Sequence, residues 1–211
     1  AYGKNAVYAS GHHGNAILSK YPIIKWDNIN ISTNPLERRG LLHAVIKHPE
    51  LESDLHAVCV HLDLSEKGRR QQVEKLMKRI EDLVPPHAPL IIAGDFNDWR
   101  GRITAELSKR LGTAEAHLSL HGHHARTFPS AFPVLTLDRI YFRGFGVLQA
   151  QTLKGKPWSE LSDHAAVFAS LGEIENQQKK TKDTWNKEEL FFDAEKFFNS
   201  FIKGISEAKK T

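Results

Sequence analysis

The sequence predicts an α/β fold in which mixed strands are covered by helices. Short apolar runs recur along the chain between Pro, Gly, Asn and Ser breaks, as is typical of sheet strands. Residues 65–86, between two of these runs, place apolar side chains at helical spacing. The chain has 211 residues, of which 40% are hydrophobic, so it is long enough to bury one large core.

The predicted strands lie on both sides of two helical segments. They are residues 15–20, 41–47, 55–62, 89–94, 134–142, 146–153 and 164–171. Ser65 is a candidate N-cap of the long helix, and its apolar stripe ends before Pro85. A second helix is predicted over residues 103–111. This order of elements predicts strands in mixed directions with helices outside them.

The composition changes after Gly172, which divides the chain into three predicted parts. Residues 1–172 form the α/β domain, residues 173–186 form a polar linker, and residues 187–211 form an amphipathic helical extension. We expect this helix to pack on the domain or on a second copy of the chain. Contact with a membrane surface is the alternative, although eight lysines balance eight acidic residues from Glu173 onward.

The formal net charge of +4 belongs entirely to the predicted domain and favours an anionic partner such as nucleic acid. Cys59 has no second cysteine to pair with, which excludes an intramolecular disulfide and favours a reducing, cytoplasmic location. No apolar stretch reaches the length of a spanning helix, and the first residues lack a signal-peptide core. Because the chain begins with Ala, we expect its natural start to lie upstream.

Polar side chains gather at four predicted strand ends, where a sheet holds functional groups rigidly. They are His61, Asp95, Asn97, Asp138, Asp163 and His164. Each alone would be read as a turn or structural residue, but four such ends in one chain favour a site. Phosphate-ester hydrolysis needs charge neutralisation, an activated water and a stabilised leaving oxygen. Carboxylates that bind Mg²⁺ and an Asp-oriented His would supply these functions.

Other chemistries fit the sequence less well. The histidines at 12 and 13, and at 121, 123 and 124, flank glycines in loop-like stretches without cysteine partners, which favours solvated loops over a zinc site. The chain contains neither a GxxxxGK[ST] phosphate loop nor a GxSxG nucleophile elbow. These absences exclude the usual nucleoside-triphosphatase and serine-hydrolase patterns.

Six blocks of sequence carry a resemblance to a known family. In chain order they are GNAILSKYPI, ERRGLLHAVI, VCVHLDL, IIAGDFNDW, LDRIYFRG and LSDHAAV. They resemble the endonuclease/exonuclease/phosphatase superfamily, which includes deoxyribonuclease I, exonuclease III, neutral sphingomyelinases and inositol-phosphate 5-phosphatases. The similarity covers about residues 1–171 and looks closest to a bacterial branch of uncharacterised metal-dependent hydrolases. It implies a four-layer sandwich of two mixed, mostly antiparallel β-sheets flanked by helices.

The resemblance also implies roles for the strand-end residues. His164 would be the base that activates water, and Asp138 would fix its tautomer. Asp95 and Asn97 would orient the water and the scissile phosphate. Asp163 would help to hold the metal ion.

Four further residues are implied as substrate contacts. His61 would contact the phosphate or assist the leaving group. Arg38 or Arg39 would bind phosphate through the fork of its guanidinium group. Asn15 is a weaker phosphate candidate, because a turn residue at the start of a strand is an equally good interpretation.

The resemblance implies Mg²⁺ as the cofactor, with Mn²⁺ as an alternative, and a phosphate ester as the substrate. Nucleic acid is the first expectation because the domain is basic. Phospholipid, sphingolipid headgroup or inositol phosphate hydrolysis is one alternative. A noncatalytic binding or assembly module on the same fold is the other.

One feature departs from the family pattern. Family members carry a Gln-Glu pair on an early strand, and its Glu is the principal metal ligand, whereas residues 1–26 contain no Asp or Glu. We therefore expect either that the chain is a truncated or proteolysed product or that another segment completes the domain, and we expect this chain to be a poor catalyst without that segment. We also expect the missing strand to leave an open sheet edge.

Overall fold

A computed structural model of the chain describes residues 1–9, 11–34 and 37–172. Ten strands and four helices form within these residues. The strands are β1 (Tyr2–Tyr8), β2 (Gly11–Ala16), β3 (Ile23–Asn30), β4 (Gly40–Ile46), β5 (Leu55–His61), β6 (Leu90–Asp95), β7 (Ala114–Glu115), β8 (Asp138–Arg143), β9 (Gly146–Leu153) and β10 (Ala166–Gly172). The helices are α1 (Glu66–Leu83), α2 (Arg102–Leu111), α3 (Ala116–His121) and α4 (Trp158–Leu161).

A mixed six-stranded sheet is the main layer, with the strand order β3-β4-β5-β6-β8-β7. Its neighbouring strands are antiparallel except for β5 and β6, which run parallel. Parallel neighbours need a crossover connection, and α1 provides it. Ser65 caps α1 by accepting a hydrogen bond from the Gly68 amide at 3.1 Å, as the sequence predicts.

One face of this sheet is buried against α1 and α2. The apolar side chains of α1 join those of α2 and the central strands in a single core, with members such as Leu76, Ile80, Leu107 and Ile92. Burial of this stripe stabilises α1 far more than its intrinsic helix propensity does.

The opposite face carries two separate hairpins, β1-β2 and β9-β10, each a two-stranded antiparallel sheet. The first contacts β3, β4 and β5, and the second contacts β8. The predicted α/β class is therefore confirmed. Within the described residues, however, the second sheet consists of these two hairpins. The predicted C-terminal helix and linker lie outside the described residues.

Three local predictions were wrong. The strand predicted over residues 134–142 begins only at Asp138. Of the strand predicted over residues 15–20, only the first two residues lie in β2, which continues back through the histidine-rich stretch because β1 pairs with it. α3 ends at His121, inside the stretch around residues 121–124 that was predicted to be a loop. The Glu115 carboxylate caps it by accepting hydrogen bonds from the amides of His117 and Leu118. No helix among the described residues is long and apolar enough to cross a membrane.

Gly94 determines how closely β6 approaches β5 just before the polar strand ends. Its φ of +144° is unfavourable for side-chain-bearing residues, and an added Cβ would lie 1.9 Å from the Val60 carbonyl oxygen. Glycine is therefore required here for β6 to deliver Asp95 beside β5.

Candidate active site

Three of the predicted site residues form one row across the main sheet. His61 ends β5, Asp95 ends β6 and Asp138 begins β8, and each Cα is the register partner of the next. Because side chains alternate along a strand, register partners project from the same face. This is the face that carries the hairpins, opposite α1. The row therefore places an imidazole and two carboxylates side by side.

His164 joins this row from the turn before β10. Its Nδ1 lies 2.7 Å from Asp138 Oδ2. An ionised carboxylate only accepts hydrogen bonds, so Nδ1 carries the proton and Nε2 presents its lone pair. Burial lowers the pKa of His164, but the bond to Asp138 and the charges of Asp95 and Asp163 outweigh this and raise it above its usual value.

A loop next to this pair keeps both residues in place. The Thr127 hydroxyl accepts a hydrogen bond from the Asp138 amide at 3.3 Å, and the Thr127 carbonyl accepts one from the Ala165 amide at 2.7 Å. The ring of Phe128 packs 4.9 Å from the His164 ring. Thr127 therefore links the two chain segments that carry the pair, a role that its residue type alone did not indicate.

His61 contacts a cation on one side and a carboxylate on the other. Arg39 Nη1 donates to His61 Nδ1 at 3.2 Å. The guanidinium group has no acceptor, so the His61 proton must lie on Nε2, which is 3.4 Å from Asp95 Oδ2. Desolvation, followed by the positive charge of Arg39, lowers the pKa of His61 despite Asp95. His61 is therefore held as a neutral donor.

Asn97 occupies a conformation that few side-chain-bearing residues adopt. Its φ of +50° is left-handed, a region in which Asn is enriched. The Asn97 amide donates to Asp95 Oδ1 at 2.9 Å, and its side-chain Nδ2 donates to the Leu62 carbonyl at 2.9 Å. These bonds fix the carboxylate of Asp95 and join the loops that follow β5 and β6.

The remaining predicted residues differ in their relation to the row. Arg39 contacts the row directly, whereas the neighbouring Arg38 is exposed. Asp163 is also exposed, beside His164. Asn15 is buried, and its two amide protons go to the carbonyls of Gly40 and Cys59 at 2.8 and 3.1 Å. Asn15 thus has no N–H left for a phosphate and instead ties β2 to the main sheet.

The described residues do not by themselves complete a metal site. Asp163 offers an exposed carboxylate, a suitable Mg²⁺ ligand. Across the described ranges, however, no group of three or more His, Cys, Asp or Glu side chains is arranged to hold an ion. A cation at this site would therefore need ligands in addition to these side chains.

The sequence did not reveal the contact between Asp98 and Arg139. Arg139 Nη1 donates to Asp98 Oδ2 at 3.1 Å, and both side chains are almost fully buried. The same oxygen accepts the Ile103 amide at the start of α2. This ion pair joins the β6–α2 loop, which carries Asn97, to β8, which carries Asp138. Asp98 therefore supports the site as well as shaping the turn.

The layered α/β fold and this row of carboxylates and imidazoles together define a phosphoesterase-type protein. The Endonuclease/Exonuclease/phosphatase family model matches residues 2–164, and the chain belongs to this family. The family consists of phosphate-ester hydrolases and is generally dependent on a divalent metal ion.

A curated relative supports this assignment. The chain is 43% identical over 171 residues to the uncharacterized protein YbhP of Escherichia coli strain K12. The aligned region covers 81% of this chain and 67% of that protein. The predicted similarity to an uncharacterised bacterial branch is thus confirmed.

Solved structures agree in fold at low sequence identity. An endonuclease/exonuclease/phosphatase from Bacteroides vulgatus aligns with a TM-score of 0.66 at 19% identity, covering 81% of this chain and 74% of that one. A mannosyl-6-phosphatase from Bacteroides thetaiotaomicron aligns with a TM-score of 0.59 at 17% identity, covering 72% and 67%. D. rerio TDP2 complexed with single strand DNA product aligns with a TM-score of 0.57 at 20% identity, covering 71% of this chain and 68% of that one.

Proposed function

We propose that the protein is a phosphodiesterase that hydrolyses nucleic acid through attack of a His-activated water, with Mg²⁺ or Mn²⁺ as its cation. The bond between His164 and Asp138 beside the carboxylate of Asp95 carries this proposal. A general base needs an unprotonated nitrogen within reach of the substrate and a partner that fixes its tautomer. His164 Nε2 meets the first requirement and Asp138 the second.

The other members of the row have complementary roles in this proposal. Arg39 and the Nε2–H of His61 donate hydrogen bonds to the phosphate and to the leaving oxygen, where negative charge develops. Asp95, held by the Asn97 amide, orients the attacking water. His164 takes the proton of that water as its oxygen bonds to phosphorus and the P–O bond to the leaving group breaks.

Nucleic acid is the preferred substrate class because the excess of 21 basic over 17 acidic residues lies before Glu173. The neighbouring fold of TDP2, solved with a single strand DNA product, is consistent with this choice. The salt dependence of binding distinguishes nucleic acid from the alternative phospholipid, sphingolipid and inositol phosphate substrates. Release of counterions predicts that DNA binding weakens steeply as salt increases.

Hydrolysis of bis-p-nitrophenyl phosphate with Mg²⁺ and with Mn²⁺ tests the proposal. We expect turnover by the protein that includes the segment completing its domain, and a loss of about 10²-fold or more in its His164→Ala variant, the range for removal of a general base. Full turnover in His164→Ala would overturn the assignment of the base. Binding of DNA without turnover under either metal would favour the noncatalytic module instead.

A further inference from the structure

An exposed tryptophan lies in the loop that also carries Asn97. Trp99 follows Asn97 by two residues, in the turn between β6 and α2, and 46% of its surface is exposed. The neighbouring β5–α1 loop exposes Leu64 to 62%. Exposed apolar patches rimmed by polar residues typically mark interaction sites.

The indole ring is held in a defined position by a buried cation. The Arg69 guanidinium carbon lies 4.9 Å from the centroid of the Trp99 ring. Arg69 is 5% exposed, and its Nη1 donates to the carbonyls of Asp63, at 3.1 Å, and Leu64. A cation fixed in this way holds the ring by cation–π attraction. Trp99 is thus an ordered and exposed aromatic surface.

Arg69, which holds this ring, also lines a cleft that contains more arginines than carboxylates. A cleft of about 260 Å³ between α1 and α2 is lined by Arg69, Arg70, Arg100 and Arg102, together with Glu66 and Glu106. Asp98 also lines the cleft, but it is neutralised by the buried Arg139. Three exposed guanidinium groups face two exposed carboxylates, and Arg100 and Arg102 both pair with Glu66, so the cleft keeps a small net positive charge.

We propose that Trp99 is a stacking platform for a base of a single-stranded nucleic acid whose phosphates are bound by Arg100 and Arg102. This proposal rests on the proposed function and names the form of its substrate. Single strands are bound by aromatic rings that stack on bases and by cations that follow the backbone. Bases paired within a duplex do not offer a free face, so the platform selects unpaired strands.

Nucleic acid fits this surface better than a membrane does. Membrane-surface elements bury a continuous apolar face, whereas here Trp99 and Leu64 are bordered by the charged groups of Arg100, Arg102 and Glu66. A flat ring supported by a guanidinium group is suited to stacking. Vesicle binding is therefore an outcome of the test that would contradict the proposal.

The binding of a fluorescein-labelled 15-mer oligothymidylate to the full chain, measured by anisotropy in EDTA, tests the platform without cleavage. We expect Trp99→Ala to raise the Kd by about tenfold or more, in line with the loss of one stacked base. Trp26 provides a matched control, because it is 51% exposed on the edge strand β3. Trp26→Ala should bind like the wild type.

A phosphate chain of the same length without bases separates stacking from charge. The wild type should bind this abasic oligomer more weakly, and Trp99→Ala should bind it as the wild type does. If Trp99→Ala fails to fold by circular dichroism, Trp99→Leu keeps the apolar bulk and removes the stacking surface. Arg100→Gln with Arg102→Gln should weaken the binding of both oligomers and flatten its salt dependence.

Three results would overturn the platform. The first is that wild type and Trp99→Ala bind oligothymidylate with equal affinity. The second is that Trp99→Ala loses as much affinity for the abasic oligomer as for oligothymidylate. The third is that Trp99→Ala loses affinity only for vesicles of phosphatidylglycerol and phosphatidylcholine. Turnover of bis-p-nitrophenyl phosphate by the wild type is measured separately. If binding does not depend on the bases but turnover is intact, only the stacking proposal is contradicted. If binding depends on the bases but there is no turnover, only the proposed phosphodiesterase activity is contradicted.

Discussion

His164 Nδ1 lies 2.7 Å from Asp138 Oδ2, although the two residues are 26 positions apart in the chain. Asp138 is fixed by the register of β8 beside β6, and His164 is fixed by the loop around Thr127. The contact is therefore produced by the fold rather than by local sequence. It fixes the tautomer that a general base requires.

Replacing the partner of this histidine should impair hydrolysis without unfolding the protein. Asp138→Asn keeps the size of the side chain but removes the charge, and its amide can donate to Nδ1 and so favour the wrong tautomer. We expect kcat for bis-p-nitrophenyl phosphate to fall by about 10²-fold or more. Asp54→Asn is the control, since Asp54 forms an ion pair with Lys47 at the surface, away from the row. Equal activity of the two variants would contradict the role of Asp138.

His61 and Asp95 could be predicted as site residues because they end readable strands, whereas Asp138 lay inside the strand predicted over residues 134–142 and begins β8 in the structure. Apolar runs located β5 and β6, and the polar residues that followed marked His61 and Asp95 as candidates. A strand end is a local property, so periodicity reveals it. That the two residues are register partners follows from pairing, which only the structure establishes.

Other features depend on contacts that periodicity does not encode. Asp98 and Arg139 are 41 positions apart, and neither lies in a pattern that identifies its partner. β3 is an edge strand with largely exposed side chains, and its sequence IIKWDNIN lacks the strict alternation of apolar and polar residues that identifies a strand. The start of α3 depends on Glu115 as its cap, and Glu is less commonly recognised in that position than Ser or Asp.

Arg39 should contribute to substrate binding more than its neighbour Arg38 does. Arg39 Nη1 donates to His61, and its Nη2 pairs with Glu37, so the guanidinium group is oriented toward the row. Arg39→Gln should lower kcat/KM for a phosphodiester by about tenfold or more, the effect of losing a hydrogen bond from a charged donor. Arg38→Gln, at an exposed position of equal charge, should have the smaller effect. A larger loss in Arg38→Gln would reverse this assignment.

Breaking the buried ion pair should destabilise the whole domain. Asp98→Ala leaves the charge of Arg139 unpaired at a site where both residues are at most 3% exposed. We expect the free energy of unfolding in urea to fall by about 3–5 kcal/mol. The exposed pair between Asp82 and Lys78 is the matched control, and Asp82→Ala should cost less than about 1 kcal/mol. Similar losses in the two variants would show that burial does not determine the cost.

The buried histidine pair of β4 and β5 should make stability depend on pH. His43 Nε2 lies 2.9 Å from His56 Nδ1, and His43 is 5% exposed. Burial, followed by the charges of His56 and Arg79, lowers the pKa of His43 to about 4. In the unfolded chain an imidazole ionises near pH 6.5, so between that pH and about 4 the unfolded state binds more protons. Stability is therefore complete above about pH 6.5 and falls as the pH decreases.

Urea unfolding at pH 7.5 and pH 4.5 measures this effect. The wild type should lose up to about 3 kcal/mol through His43, in addition to losses from carboxylates. His43→Gln removes the titrating group and keeps a side chain that can hydrogen-bond to His56, so its loss between the two pH values should be smaller by that amount. His87→Gln, at an exposed position between α1 and β6, should lose as much as the wild type. If all three proteins lose the same amount, the buried pair is not the source of the pH dependence.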